Sequence, residues 1–344
     1  MTVGLIYDPI YLKHDTGQHV ENAGRLEEVI YHLKQSGLME QLTLIKPRPA
    51  SIEEIAVVHP QSHISRIQEV AKRGGGWLDA DTVMSPDSYE VALYAAGGAI
   101  TATEAVINGE VGSAFALVRP PGHHATPEQA MGFCLFNNLA IAAEYALERH
   151  KLERILIVDF DVHHGNGTEA VFYENPKVLY ASTHEFPFYP GSGSVADTGS
   201  GAGKGTTVNI PLPAGCADTE YLLVFEQIIG PVARRFKPQL ILVSAGYDLH
   251  WADPIALMQV TITGLARIVG TIKGLADELC DGRLVFSLEG GYNFAALATS
   301  IKATMDVLLG NTDIDDPLGK SPRQFNAPSI TPLIKQIKET HNLP

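Results

Sequence analysis

Short apolar runs that alternate with helical patterns along most of the chain are the feature that most restricts its fold. Eight of these runs are rich in β-branched residues and end in turns or polar clusters; they cover residues 3–7, 42–45, 115–118, 155–158, 178–182, 207–210, 240–244 and 284–288. Helical patterns cover residues 25–35, 64–73, 88–107, 139–150, 219–236, 265–279 and 294–309. Because the short runs are continuously apolar, they are typical of strands buried on both faces of a parallel sheet. The alternation therefore predicts an α/β fold with about eight parallel strands flanked by helices.

The length of 344 residues allows either one large domain or two ordinary ones. No linker-like segment divides the chain, so we expect a single domain over residues 1–344. The motifs described below end before residue 310, and the polar, proline-containing stretch 311–344 is predicted to be an irregular C-terminal extension.

Charge and cysteine content exclude several classes of function. Acidic residues outnumber basic ones 39 to 25, and the resulting net charge of −14 argues against a nucleic-acid or anionic membrane surface. No run of apolar residues is long enough to span a bilayer. Cys134, Cys216 and Cys280 lie far apart without CxxC spacing, which favours a reducing compartment and predicts a cytoplasmic protein.

Chemically reactive residues follow four of the predicted strands. The residues concerned are His123 and His124 after the strand at 115–118, Asp159, Asp161 and His163 after 155–158, Asp248 after 240–244, and Tyr292 after 284–288. In an open α/β sheet, ligands bind beyond the carboxyl ends of the strands. The sequence therefore predicts that these side chains meet at one edge of the sheet.

Asp161 and His163 are two residues apart, so in an extended segment their side chains point the same way. With Asp248 from another strand end, they supply two oxygens and one nitrogen, a set that suits a catalytic zinc with an open position. The alternative is that the Asp-x-His pair is only a hydrogen-bonded loop anchor.

The adjacent histidines and Tyr292 also have two interpretations. His123 and His124 follow a Pro-Pro-Gly turn, and one ring could transfer protons while the other acts as its electrostatic partner. Tyr292 could donate a hydrogen bond to a developing oxyanion. Alternatively, the histidine pair is structural and Tyr292 is a buried aromatic residue.

Five motifs resemble the zinc-dependent histone deacetylase family, which includes bacterial deacetylase-like amidohydrolases, acetoin-utilisation proteins and acetylpolyamine amidohydrolases. They are RPPGHHA at 119–125, GFCLFNN at 132–138, DFDVHHGNGT at 159–168, SAGYD at 244–248 and LEGGY at 288–292. The resemblance covers about the first 310 residues and implies the arginase/deacetylase fold, whose central sheet has eight parallel strands.

The resemblance also implies roles for individual residues. Asp161, His163 and Asp248 would bind one zinc ion. His124 would be the general base and then the general acid, His123 its electrostatic partner, and Tyr292 the oxyanion donor. Asn166 would lie behind His124, as in class II members of the family, and Asp159 would pair with His123.

Structural potassium sites and a substrate tunnel are further implications of the resemblance. Asp159, Asp161 and Ser182, with the main-chain carbonyl oxygens of His163 and Thr183, would surround one potassium ion. Main-chain oxygens near Phe172, Asn175 and Val178 would hold a second. The tunnel would be lined by Phe133, Tyr189, Gly132, Gly291, Ile255 and Asp81. Asp81 would accept a hydrogen bond from the substrate.

The function expected from these features is removal of acetyl or related acyl groups from lysine side chains by activated water, releasing acetate. Ile255 follows Asp253-Pro254 where polyamine-selective relatives carry glutamate, which favours peptides or proteins over small acetylated amines such as acetylpolyamines. Two other functions remain possible at this point. One is an arginase-like ureohydrolase with two metals, although His250 replaces an aspartate that such a site needs; the other is an inert acyl-lysine binding module. The oligomeric state is not predicted, although the resemblance is compatible with a homo-oligomer.

Overall fold

Eight strands form the central sheet of the computed structural model, which describes residues 2–322 and 328–344. In chain order the strands of the molecule are β1 (Val3–Ile6), β2 (Thr43–Ile45), β3 (Gly76–Trp77), β4 (Val83–Met84), β5 (Ser113–Ala116), β6 (Ile155–Asp159), β7 (Val178–Glu185), β8 (Thr207–Leu212), β9 (Leu240–Ala245) and β10 (Leu284–Leu288). The central sheet has the order β2-β1-β5-β10-β9-β6-β7-β8, and all its pairs are parallel. Strands β3 and β4 form a separate antiparallel pair.

Helices cover the sheet. They are α1 (Gly24–Gln35), α2 (Ile52–Ala56), α3 (Gln61–Lys72), α4 (Ser88–Ile107), α5 (Asn138–Arg149), α6 (Asn166–Phe172), α7 (Asp218–Val224), α8 (Gly230–Phe236), α9 (Ile262–Leu279), α10 (Phe294–Leu309) and α11 (Thr331–His341). Helix α10 packs against α1 and α9, and α4 packs against α5. Because both faces are covered, every residue of β5, β6, β7, β9 and β10 is buried, which explains why these strands are mainly apolar.

The predicted eight-stranded parallel α/β sheet is confirmed, with differences in its details. Strand β5 begins two residues before the predicted run at 115–118. The helix predicted over 219–236 is α7 and α8 joined by a π-helical turn, Phe225–Ile229. Pro231 lies in the first turn of α8 and has no amide hydrogen, so the α-helical hydrogen-bond ladder is interrupted there.

The prediction of an irregular extension over 311–344 is wrong for its last part. Residues 331–341 form α11, whose buried Ile334, Ile337 and His341 lie at helical spacing along one face. Pro332 lies in the first turn of this helix, where its missing amide hydrogen does no harm. Residues 323–327 of the predicted extension lie outside the described residues.

The strand order brings together the four strands whose ends carry the reactive residues. Strands β5, β10, β9 and β6 are consecutive neighbours at the centre of the sheet. Because all four are parallel, their carboxyl ends open at the same edge, and the loops that follow them meet there.

Two observations bear on the compartment and on membrane association. Cys134, Cys216 and Cys280 are unpaired and buried. Within the described ranges, no helix combines the length and the apolar content that crossing a bilayer requires.

Candidate active site

Asp161, His163 and Asp248 lie together at the carboxyl ends of β6 and β9, and all three are buried. His163 Nδ1 is 3.1 Å from Asp161 Oδ1 and 3.2 Å from Asp248 Oδ2. One ligand atom from each residue falls within 4.8 Å of the others, which is the arrangement that a tetrahedral metal site needs.

The hydrogen bonds around this group leave ligand atoms available for a metal. Asp248 Oδ1 accepts a hydrogen bond from Val162 N at 3.0 Å, and Asp161 Oδ2 accepts one from Gly290 N at 2.8 Å. Asp248 Oδ2 is buried, and within the described residues no donor is directed at it with hydrogen-bond geometry, although His163 Nδ1 lies 3.2 Å away. A buried carboxylate oxygen without a hydrogen bond is costly, so the residues present fit a divalent cation. Two carboxylates and one imidazole are ligands that zinc accepts.

His123 is held between carboxylates. Its Nδ1 donates to Asp159 Oδ2 over 3.1 Å, and its Nε2 is 3.8 Å from Asp161 Oδ1. Burial alone would lower the pKa of His123, but the carboxylates of Asp161 and Asp159 outweigh burial and raise it to about 10. These carboxylates therefore favour the cationic form of His123.

The pKa of His124 is shifted in the opposite direction from that of His123. Burial, together with the positive charge of His123 at a ring separation of 4.0 Å, holds the pKa of His124 well below its usual value. His124 Nδ1 donates to Asn166 Oδ1 over 2.8 Å, and Asn166 Nδ2 donates in turn to Met131 Sδ, which orients the amide. With Nδ1 protonated, Nε2 of the neutral ring is a proton acceptor.

Tyr292 lies on the turn after β10 and lines a cavity of about 230 Å³. The other lining residues are Asp81, His124, Gly132, Phe133, His163, Phe188, Tyr189 and Ile255. Burial raises the pKa of Tyr292 well above its usual value, so its hydroxyl keeps its proton at neutral pH. The Arg25 guanidinium lies 5.0 Å from the ring centroid of Tyr292, and the ring of Phe133 meets it edge-on at 5.8 Å.

The cavity wall near His124 depends on a glycine. Gly132 has φ +55°, and a Cβ atom there would lie 2.3 Å from Cδ2 of His124. The next residue, Phe133, also has a positive φ of 70°, which is strained for an aromatic residue. Phe133 N donates to Thr82 Oγ1 on the loop between β3 and β4 at 3.0 Å, and this contact helps to hold the ring in the wall.

Comparison with known proteins agrees with this geometry. The family model described as histone deacetylase domain matches residues 19–308. The chain belongs to the histone deacetylase family. A probable deacetylase of Archaeoglobus fulgidus is 44% identical over 85% of this chain and 82% of its own length. A histone deacetylase-like amidohydrolase of Pseudomonas aeruginosa is 40% identical over 87% of this chain and 80% of its own length.

A solved structure supports the same conclusion for the fold. The crystal structure of the HDA15 HD domain has a TM-score of 0.88 and 32% sequence identity, and the match covers 99% of this chain and 96% of that one. This member of the histone deacetylase family therefore has the arginase/deacetylase fold, and it is a hydrolytic deacetylase.

In this deacetylase, the residues predicted to surround a potassium ion lie on the neighbouring strands β6 and β7 and on the loop after β6. Asp159 and Ser182 are register partners, and Asp159 Oδ2 also accepts a hydrogen bond from Tyr180 over 3.0 Å. Thr183 Oγ1 is buried without a hydrogen-bond partner. Around the second predicted site, the carbonyl oxygen of Phe172 accepts from Asn175 N, and that of Asn175 accepts from Val178 N.

Two residues at the site, Phe188 and Glu289, were not predicted from the sequence. Phe188 lines the cavity and stacks on His163 at 5.3 Å. Glu289 is buried after β10, and its Oε2 accepts from Gly122 N at 2.7 Å and from His123 N at 3.1 Å, which fixes the turn that carries both histidines. The position of Glu289, an acidic residue directly after a buried strand, could have indicated from the sequence that it lies at the site. Predicted tunnel residue Gly291 adjoins Tyr292 without lining the cavity.

A buried ion cluster behind Tyr292 was also missed. Both carboxylate oxygens of Glu21 bind the Arg119 guanidinium, and Glu21 Oε1 lies 3.1 Å from Arg25 Nη1. Arg25 Nε donates to the carbonyl oxygen of Gly291 at 2.7 Å, and its Nη2 donates to that of Glu289 at 2.6 Å. Glu21 thus connects the N-terminal segment with the turn that carries Tyr292.

Replacing Glu21 by glutamine should destabilise the protein by about 3 kcal/mol, because it leaves two buried guanidinium groups without their counter-charge. Burial alone would raise the pKa of Glu21, but Arg119 lowers it to about 2. The stabilisation that ionised Glu21 provides is therefore present above its unfolded-state pKa and is lost as the pH falls toward 2. In acid, the variant and the wild type should have similar free energies of unfolding. Urea unfolding at neutral and acidic pH measures both effects.

Glu27→Gln is the matched control, since Glu27 is exposed on the first turn of α1. It should change the free energy of unfolding by less than about 0.5 kcal/mol. Equal stability of Glu21→Gln and the wild type at neutral pH would contradict the role of the cluster.

Proposed function

We propose that this deacetylase is zinc-dependent and removes acetyl groups from lysine side chains of peptides or proteins, releasing acetate. The observation that carries the proposal is the meeting of three complementary groups at one cavity. His163 of the buried ligand set, His124 with its amide partner, and the protonated Tyr292 all line it. These are the groups that water-mediated amide hydrolysis requires.

Asp161, His163 and Asp248 would hold the zinc ion. When bound, it would supply a Lewis acid for the amide carbonyl and lower the pKa of the attacking water. Nε2 of His124 would accept a proton from that water and later give it to the leaving amine, so the amide C–N bond breaks to give acetate and free lysine.

His123 and Tyr292 would stabilise charge during this reaction. His123, kept positive by Asp159, adds a fixed cation beside the reaction centre and keeps His124 neutral. The Tyr292 hydroxyl would donate a hydrogen bond to the developing oxyanion. The ring contacts with Arg25 and Phe133 limit the orientations open to the phenol.

Structural potassium also belongs to the proposal. Asp159, Asp161 and Ser182, with His163 and Thr183, would surround one potassium ion beneath the zinc ligands, and the segment from Phe172 to Val178 would bind a second. The pairing of Asp159 with Ser182 as register partners on neighbouring strands supports the first site. A cytoplasmic location, without nucleic-acid or membrane partners, remains a prediction from the sequence.

The choice of substrate rests on the cavity wall. Phe133, Tyr189 and Ile255 make most of that wall aromatic or aliphatic, which suits the apolar stem of an acyl-lysine side chain. Asp81 is the acidic residue that lines the cavity, and it would accept a hydrogen bond from the substrate amide.

Tyr292→Phe tests the chemistry most simply. Losing one oxyanion donor should lower kcat on an acetyl-lysine peptide by about 100-fold or more, while the ligand residues stay unchanged and zinc remains bound. Peptide hydrolysis and elemental analysis of the purified variant measure these two quantities. Near-normal turnover would overturn the proposed role of Tyr292.

Ile255→Glu tests substrate choice. The wild type should hydrolyse an acetyl-lysine peptide more efficiently than acetylspermidine, and a carboxylate at position 255 should raise relative activity on the cationic polyamine by about tenfold. Leu257→Glu, at an exposed position two residues further on, is the control for added charge. A wild-type preference for acetylspermidine would refute the assignment of Ile255.

A further inference from the structure

The loop after β9 and the turn after β10 are joined by one carboxylate. Asp253 Oδ2 accepts a hydrogen bond from the main-chain N–H of Tyr292 at 2.7 Å, and Asp253 Oδ1 accepts one from that of Ile255 at 3.0 Å. Only 7% of the surface of Asp253 is exposed, so few waters can replace either contact. Each oxygen therefore has its own donor, and both donors belong to residues that line the cavity.

Nearby contacts fix Asp253 itself. Its main-chain N–H donates to the carbonyl oxygen of His250 at 2.9 Å. Asn293 Nδ2 donates to the carbonyl oxygen of Ala252 at 3.0 Å, while Asn293 Oδ1 accepts from Ala296 N at the start of α10. The loop that carries Ile255 and the turn that carries Tyr292 are thus held against a rigid helix end.

The position of the Tyr292 phenol depends on the peptide unit between Gly291 and Tyr292 as well as on the ring contacts of Arg25 and Phe133. Arg25 holds the carbonyl end of this peptide unit, at Gly291, and Asp253 holds its N–H end, at Tyr292. A displacement of about 1 Å at a catalytic group can reduce the rate about 100-fold. A small rotation of the peptide unit would be amplified along the side chain to its hydroxyl.

We propose that Asp253 is a positioning residue that acts through Tyr292: it sets the location of the hydroxyl relative to the wall formed by Ile255. The proposal rests on the proposed function, because it assigns to Tyr292 the oxyanion-donating role. Among the residues that the structure describes, Asp253 is not one of those that line the cavity.

A double-variant cycle tests the proposal in the zinc-loaded full-length enzyme with an acetyl-lysine peptide. Asp253→Asn keeps the size of the side chain but leaves one acceptor oxygen, so either Tyr292 N or Ile255 N faces an NH₂ group. It should lower kcat about tenfold and change KM less than twofold. In the Tyr292→Phe background the same substitution should change kcat less than about twofold, because no hydroxyl remains to be misplaced.

Asp218→Asn is the matched control. Asp218 also anchors a loop with both oxygens, which accept from Thr261 N at 2.8 Å and from Thr261 Oγ1 at 2.7 Å, and it does not line the cavity. It should leave kcat within about twofold in both backgrounds. If Asp253→Asn does not fold, Asp253→Ser, a smaller residue with one acceptor, replaces it in the same cycle.

The outcomes separate this inference from the proposed function. A further loss of about tenfold when Asp253→Asn is added to Tyr292→Phe would overturn the inference, since Asp253 would then act independently of the hydroxyl. Unchanged kcat in the single variant would overturn it too. Nearly full activity of Tyr292→Phe would instead overturn the proposed function.

Discussion

Charge compensation among buried carboxylates governs the centre of this molecule. Asp159, Asp161 and Asp248 are buried at the ends of the neighbouring strands β6 and β9, where an unpaired carboxylate loses several kcal/mol of hydration. Asp159 and Asp161 raise the pKa of His123, and its cationic form would compensate one of them. His163 would be neutral as a metal ligand and could not compensate the other two. A divalent cation held by Asp161 and Asp248 would restore the balance, while burial and the charge of His123 lower the pKa of His124.

Three further carboxylates hold the two turns that carry His123, His124 and Tyr292. Glu289 binds the turn that carries His123 and His124, Asp253 binds the turn that carries Tyr292, and Glu21 joins that same turn to the N-terminal segment through Arg25. The parallel sheet supplies the common edge, but these contacts set the final positions of the reactive side chains. Stability and catalytic geometry therefore depend on the same buried polar groups.

The sequence predicts the sheet and the meeting of Asp161, His163 and Asp248 well, because both depend on patterns around the strands. Continuous apolar runs reveal doubly covered strands, and the Asp-x-His spacing after β6 brings two possible metal ligands together. The order of strands and the partners of Glu21, Glu289 and Asp253 depend on contacts between distant segments, which no local pattern encodes. Helix α11 was missed because Pro332 and its neighbouring prolines suggested irregular structure, whereas Ile334 and Ile337 form an apolar face.

Metal content tests the central claim most directly. Protein stripped with a chelator and then titrated with zinc should bind about one tightly held ion per chain and regain peptide hydrolysis in proportion. Asp248→Asn should lose this ion, since the amide removes one charged ligand from the buried set. Two bound metals per chain, as in a ureohydrolase, or full hydrolysis by the metal-free protein would contradict the account.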